Sequence, residues 1–256
     1  ITALETKHKA SNSKKTTSIG DDGICDACRW SDFKKTEIDW AKREKELLKL
    51  LDKHRSKSGD YDVVVPASGG KDSCYVAHIL KYKYGMNPLT VTWAPHIYTD
   101  IGRKNLYSMI NSGFDNILIT PNSVVHKKLT SLAFLNLGHP FQPFIVGQRL
   151  VGPRIAIEKK IPLVFYGENV AEYGNPLKDN YSPLMDINLI TAFDVKNYEN
   201  YLSGVKIKDL INKYQIDQKE LKIYSSPTQK EINEIKLEVH YMSYYRYWSP
   251  QENFYY

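Results

Sequence analysis

Ser68-Gly69-Gly70-Lys71-Asp72-Ser73 is the densest run of chemistry in the chain. Two adjacent glycines let a backbone approach a ligand closely. Between a strand and a helix, such a loop aims amide N–H groups and a helix N-terminus at one spot, which favours an anion, above all a phosphate. Ser68 and Ser73 add hydroxyl donors and Lys71 a point charge. Asp72 can assist a Mg²⁺ ion or organise the loop. The spacing is too short for Gly-x-x-x-x-Gly-Lys-Ser/Thr and is not Gly-x-Gly-x-x-Gly. A second polar group, Glu168, Asn169 and Glu172, offers carboxylates that can hold a cation, accept a proton or orient a substrate. Arg149 and Arg154 can reach a phosphate or form surface ion pairs.

Cys25 and Cys28 have the spacing of half a zinc knuckle, whereas a structural zinc site takes four ligands. Cys74, in the first turn of a helix among apolar residues, reads as a packed side chain. Three cysteines are too few, and odd in number, for a disulfide framework.

The scaffold for these groups reads as alternating strands and helices. Asp62–Pro66 is a β-branched run suited to a strand buried on both faces. Val76, Ala77, Leu80 and Tyr84 repeat at helical spacing, with Gly85 as a C-cap. Strands are predicted at Leu89–Trp93, Asn116–Thr120 and Ile161–Tyr166. Helices are predicted at Arg103–Asn111, from a capping Ser123 to Leu137, and at Pro143–Lys160 with a break at Gly152-Pro153. The order implies right-handed βαβ units: an α/β fold with an open parallel sheet and helices on both faces. Glu168, Asn169 and Glu172 then follow a strand and border the crevice at the carboxyl ends.

Residues 1–57 read as a polar arm, the Cys-x-x-Cys element and an amphipathic helix, with Thr36 and Asp39 at capping-box spacing and Trp40, Leu47, Leu48 and Leu51 on one face. Residues 58–256 form the main domain, with a polar insertion at about 174–235 whose short helical pieces lie around 195–202 and 206–214. Residues 236–248 alternate like a fifth strand; Tyr241, Tyr244, Tyr245, Tyr247 and Trp248 there can pack in a core or stack on a base or sugar. Among 256 residues, 42% are hydrophobic and 25% charged, which suits a globular chain. No apolar run nears the ~20 residues of a membrane span, and no signal peptide is visible, so the expected compartment is the cytoplasm. The net charge of +6 suits a nucleotide as well as a nucleic acid. An opening Ile and a tyrosine-rich close read as a piece of a longer chain.

The loop in its strand–helix context resembles the pyrophosphate-binding loop of the PP-loop (N-type) ATP pyrophosphatases, a superfamily with a HUP-like fold. Further motifs narrow the resemblance: Gly23-Ile24-Cys25-Asp26-Ala27-Cys28, Thr99-Asp100-Ile101-Gly102, Tyr166-Gly167-Glu168-Asn169, Glu172-Tyr173-Gly174, Pro227-Thr228-Gln229-Lys230-Glu231-Ile232 and His240-Tyr241-Met242-Ser243-Tyr244-Tyr245. Together these look like the N-acetyl sugar amidotransferases of surface-polysaccharide and flagellin-sugar biosynthesis, over nearly all of residues 21–256. The resemblance implies ATP and Mg²⁺ as cofactors and an acetamido sugar, free or nucleotide-linked, converted to an acetamidine. It places pyrophosphate on residues 68–73 and adenine near Thr92, Trp93 and Ala94. It assigns catalysis to Lys71, Asp72, Glu168, Asn169 and Glu172, and ammonia to a separate glutaminase subunit, since no glutaminase domain is evident. Related sequences carry a second Cys-x-x-Cys upstream that residues 1–24 do not supply, which leaves zinc on Cys25 and Cys28 open, as the oligomeric state is. Two rivals remain: a PP-loop tRNA-modifying enzyme of the thiolation or lysidine type, against which the lack of a basic arm interleaved with aromatics speaks, and a non-catalytic nucleotide-binding subunit.

Overall fold

The computed structural model describes residues 18–173, 177–191 and 193–256. The polar arm predicted at the N-terminus lies almost wholly outside these residues. Two helices open the described chain, α1 (Asp26–Thr36) and α2 (Trp40–His54). Asp39 alone caps α2, accepting from the Lys42 amide at 2.9 Å. Thr36 belongs to the end of α1, where its hydroxyl donates to the Asp32 carbonyl, so the predicted capping box does not form. Leu47 and Leu51 are buried and Leu48 is exposed.

The main body alternates β1 (Val63–Pro66), α3 (Lys71–His78, continued by a π turn to Lys83), β2 (Pro88–Trp93), α4 (Asp100–Asn111), β3 (Asn116–Ile119), α5 (Ser123–Leu137), α6 (Gln142–Lys159) and β4 (Leu163–Tyr166). After β4 come two 3₁₀ turns, then α7 (Asn188–Thr191), the hairpin β5 (Tyr201–Leu202) and β6 (Val205–Lys206), α8 (Ile207–Asn212), α9 (Gln218–Leu221), α10 (Gln229–Ile235), β7 (Glu238–Tyr241), α11 (Met242–Tyr245) and α12 (Pro250–Tyr255).

Five strands form one all-parallel sheet in the order β3-β2-β1-β4-β7. Successive side chains of a strand point to opposite faces, and the β-branched run of β1 divides accordingly. Val64 joins a core with α5, α6 and the 190–232 segment; Val63 and Val65 join a second core with α2, α3 and α4. Helices therefore cover both faces. Among the described residues no helix is long and apolar enough to cross a membrane.

Three local expectations are corrected. Asn122, not Ser123, caps α5, accepting from the amides of Val124 and Val125. Helix α6 is not broken at Gly152-Pro153. Pro153 offers no amide to the Arg149 carbonyl, but the Tyr166 hydroxyl donates to that carbonyl at 2.6 Å and the helix runs on. Gly152 is needed beside it, since a Cβ there would lie 2.5 Å from the Pro66 ring. Finally, the fifth strand stops at Tyr241, and Met242–Tyr245 is a helical turn.

Residues 177–191 and 193–235 do not stand apart from the sheet. Ile190, Phe193, Leu202, Leu210, Leu221 and Tyr224 share the core of Val64 and Val164. The stretch predicted as helix around 195–202 is instead a run of turns, in which Asp194 and Asn197 accept from the amides two residues on, leading into β5.

Candidate active site

From β1 the chain moves outward to β2, whereas β4 lies on the other side of β1. The loops after β1 and β4 therefore diverge, and a parallel sheet opens a crevice at such a point. A cavity of about 290 Å³ lies there, lined by Ser68, Gly70, Asp72 and Ser73 from the first loop and Gly167 and Glu168 from the second. Trp93 of β2 and Phe144, Gln148 and Val151 of α6 close its sides. Of the second polar group legible in the sequence, Glu168 thus meets the first loop, nearly a hundred residues away, in one cavity.

Each glycine of the loop has its own reason. Gly69 sits at φ +85°, and a Cβ there would lie 2.5 Å from the Leu106 amide nitrogen of α4. It serves the backbone, not the approach of a ligand. Gly70 has an ordinary φ of −75°, and an added Cβ would meet nothing nearer than the Ser68 hydroxyl at 3.8 Å. Its missing side chain leaves room in the cavity. Gly70 also provides no side-chain cap for α3, so the first-turn amides stay open to an outside acceptor. Alanine at 69 is expected to cost roughly 2–4 kcal/mol, from a left-handed backbone and a backbone clash. Alanine at 70 is expected to cost at most about 1 kcal/mol while weakening nucleotide binding. Thermal unfolding and nucleotide titration of both variants check the pair.

The loop's side chains divide as well. The Ser73 hydroxyl donates to the Gly70 carbonyl at 3.0 Å and accepts from the Ser68 amide at 3.4 Å, so it braces the turn. The Ser68 hydroxyl has no partner among the described residues. Lys71 is paired with the Asp72 carboxylate, whose other oxygen accepts from the Asn253 amide at 3.2 Å. Glu168 faces this group. Burial, and then the charge of Asp72, hold its carboxyl above the usual carboxylate range, and the Tyr173 hydroxyl donates to it at 3.3 Å. Two carboxylates crowded into one partly dry cavity, with a free hydroxyl at its rim, suit a hard divalent cation such as Mg²⁺.

Of the residues expected around adenine, Trp93 lines the cavity. Its ring stands edge-on to His126 and Tyr224, and burial pushes the His126 imidazole down to about 4, so that this wall is uncharged at neutral pH. A Cβ on Gly147 would overlap the Trp93 ring. Thr92 and Ala94 are buried and do not line the cavity. Thr92 donates to the Ala67 carbonyl at 2.7 Å and so ties the start of the Ser68–Ser73 loop to β2.

Asn169 and Glu172 also lie away from the cavity. The Asn169 amide donates to the Asp179 carbonyl at 3.0 Å and its oxygen accepts from the Ala171 amide. Glu172 is paired with Lys34 of α1 at 2.6 Å, and the same ammonium donates to the Trp248 carbonyl at 3.1 Å. Arg154 donates to the Ile223 carbonyl. Tyr245 and Trp248 are core side chains, and Tyr244 and Tyr247 lie against Arg43 and Trp40.

Cys25 occupies the N-cap position of α1 without a side-chain capping bond, and the neighbouring Cys28 amide and thiol hold its thiol below the usual range. Among the described residues no third His, Cys, Asp or Glu gathers with the pair. The described chain therefore does not complete a four-ligand zinc site.

Matched against protein-family models and against curated proteins, the chain finds no counterpart.

Sequence reasoning missed Asn253, Lys34 and the α6 wall. Phe144, Gln148 and Val151 fall at i, i+4 and i+7, a helical stripe that was legible. Nothing local marks Asn253 or Lys34, whose partners lie 181 and 138 residues away.

Proposed function

We propose that the chain is an ATP-dependent amidotransferase that converts a sugar acetamido group to an acetamidine, releasing AMP and pyrophosphate. The observation that carries this reading is the meeting of the Ser68–Ser73 loop and Glu168 in one cavity at the divergence of β1 and β4. The family resemblance supplies the reaction.

The acetamido oxygen attacks the α-phosphorus of ATP, and the bond to the β-phosphate oxygen breaks. An O-adenylated imidate forms as pyrophosphate leaves and the amide nitrogen gives up its proton. Ammonia then adds to the imidate carbon, AMP departs with the C–O bond electrons, and the nitrogen loses a proton to give the amidine. An amide oxygen is a poor leaving group, and adenylation turns it into AMP.

The protein's part is placement and charge. Open amides of α3, the Ser68 hydroxyl and the helix N-terminus hold the departing phosphates. Lys71 supplies positive charge when it turns from Asp72 to phosphate. Mg²⁺, held by Asp72 and Glu168, would neutralise charge developing on the phosphates. Glu168, with its raised carboxyl, is also the group positioned to take the proton shed by ammonia. Trp93 and Phe144 offer apolar surface to the adenine.

The test is incubation with ATP, Mg²⁺, ammonia and a panel of acetamido sugars. The expected result is AMP, not ADP, and a product lighter by about one mass unit as NH replaces O. Ammonia is expected to work where glutamine alone does not, because a separate glutaminase supplies it in the cell. ATP turnover to ADP, or activity of this chain alone on glutamine, would overturn the reading.

A further inference from the structure

Asp72 is held from both sides. Lys71 pairs with its Oδ2, and the Asn253 side chain donates to its Oδ1 at 3.2 Å. A carboxylate only accepts, so the NH₂ end of Asn253 is the end that faces it. Asn253 is only 6% exposed, and it reaches Asp72 from 181 residues away in the chain.

The segment that carries Asn253 is fastened at several points. Trp248 is buried, its ring stands edge-on to Tyr75 of α3 at 5.8 Å, and its carbonyl accepts from Lys34 at 3.1 Å. The same ring lies against Gly167, where a Cβ would come within 3.0 Å of it. Gly167 immediately precedes Glu168. Ser249 then caps α12, accepting from the Glu252 amide at 3.3 Å, with Pro250 in the first turn. One short stretch, Trp248 to Asn253, therefore touches both the loop of Glu168 and the carboxylate of Asp72. These are the two acids that line the cavity.

The two partners of Asp72 differ in chemistry. The Lys71 ammonium neutralises the carboxylate and competes with any cation for the same oxygen. It sits on a flexible stem and can turn away to a phosphate. The Asn253 amide is neutral. It fixes one oxygen and leaves the charge in place. Once Lys71 turns away, Oδ2 is open to a cation while Oδ1 still sets the direction of the carboxylate. Partners one step behind a ligating oxygen orient the ligand and tune metal affinity. Mg²⁺ is commonly held by one or two carboxylates, completed by phosphate oxygens and water, so two acids are enough.

We propose that Asn253 is the positioning residue for Asp72, holding it in the orientation in which Asp72 and Glu168 bind a divalent cation. This rests on the amidotransferase reading for the triphosphate that completes the site, but the cation can be followed without turnover.

The experiment titrates the full chain with Mn²⁺, read by electron paramagnetic resonance, alone and with α,β-methylene-ATP. The same titrations are made on N253L, which nearly keeps the side-chain volume and removes the donor. Affinity for the analogue in the presence of a chelator is measured beside them. N253L is expected to weaken Mn²⁺ binding about 10–100-fold, the usual effect of losing such a partner. The metal-free affinity for the analogue is expected to be unchanged. N253A carries the same expectation and replaces N253L if that variant does not fold. Equal Mn²⁺ affinity in the variant and the unsubstituted chain overturns the proposal. So does a metal-free analogue affinity that falls as steeply as the Mn²⁺ affinity, or an unsubstituted chain that binds no Mn²⁺. If the analogue fails to bind the unsubstituted chain while Mn²⁺ binding still depends on Asn253, the amidotransferase reading falls and the positioning role stands.

Discussion

Alanine at Glu172 is expected to destabilise the fold by roughly 3–5 kcal/mol, the cost of leaving a buried charge without its partner. The side chains of Lys34 and Glu172 are only 9% and 3% exposed, and they meet at 2.6 Å. Without the carboxylate, the Lys34 ammonium keeps one carbonyl acceptor, that of Trp248. Water cannot readily replace the loss, because α1 packs over the site with Trp30 buried. Replacing both partners together, Lys34→Met with Glu172→Leu, is expected to recover most of the stability, since apolar pairs of similar volume often serve as well as a buried ion pair. Chemical denaturation of the two single variants and the double variant measures the coupling. A Glu172→Ala protein within about 1 kcal/mol of the parent would show that the pair is not doing this work.

Glu168→Gln is expected to have the opposite profile. It should lower amidine formation by roughly 100- to 10,000-fold, the usual worth of a positioned acid–base group, with the nucleotide still bound. It should also leave the fold as stable or more so at neutral pH. The sign follows from the direction of the shift. Burial and Asp72 raise the Glu168 carboxyl in the folded chain, so the folded state holds its proton more firmly than the unfolded state does. Stability contributed by that proton is complete below the unfolded value, near 4.3, and falls as pH rises toward the folded value. Above both values the fold carries an ionised carboxylate it would rather keep neutral, and glutamine removes that burden. Thermal unfolding between pH 4 and 8, beside turnover of the same samples, reads both effects. Lower stability together with retained turnover would remove Glu168 from the chemistry.

These two carboxylates show how far local sequence carries. The strand–loop–helix around Ser68–Ser73 was legible because β-branched runs, a Gly-Gly turn and helical spacing are short-range signals. The strand before Glu168 was legible for the same reason, and a parallel sheet then brought both loops to its carboxyl edge. Glu168 and Glu172 lie four residues apart with the same side chain, and both were expected at the site. What separates them is Lys34, whose approach depends on the packing of α1 against the loop. The run-through of α6 at Pro153 likewise depends on a hydroxyl from β4, which no reading of α6 alone can supply. The end of β7 was missed because alternation of apolar side chains continues into a helical turn that buries Met242 and Tyr245.

The contact of Asn253 with Asp72, and of the Trp248 ring with Gly167, has a consequence for biosynthesis. The loops it steadies leave the ribosome well before the segment that steadies them. At roughly 5–20 residues per second, the interval between translation of Glu168 and of Asn253 is on the order of ten seconds. A nascent chain in that interval holds the Ser68–Ser73 loop and the loop after β4 without their outer support, so the nucleotide binding proposed for this cavity is expected only once the segment through Asn253 has been made.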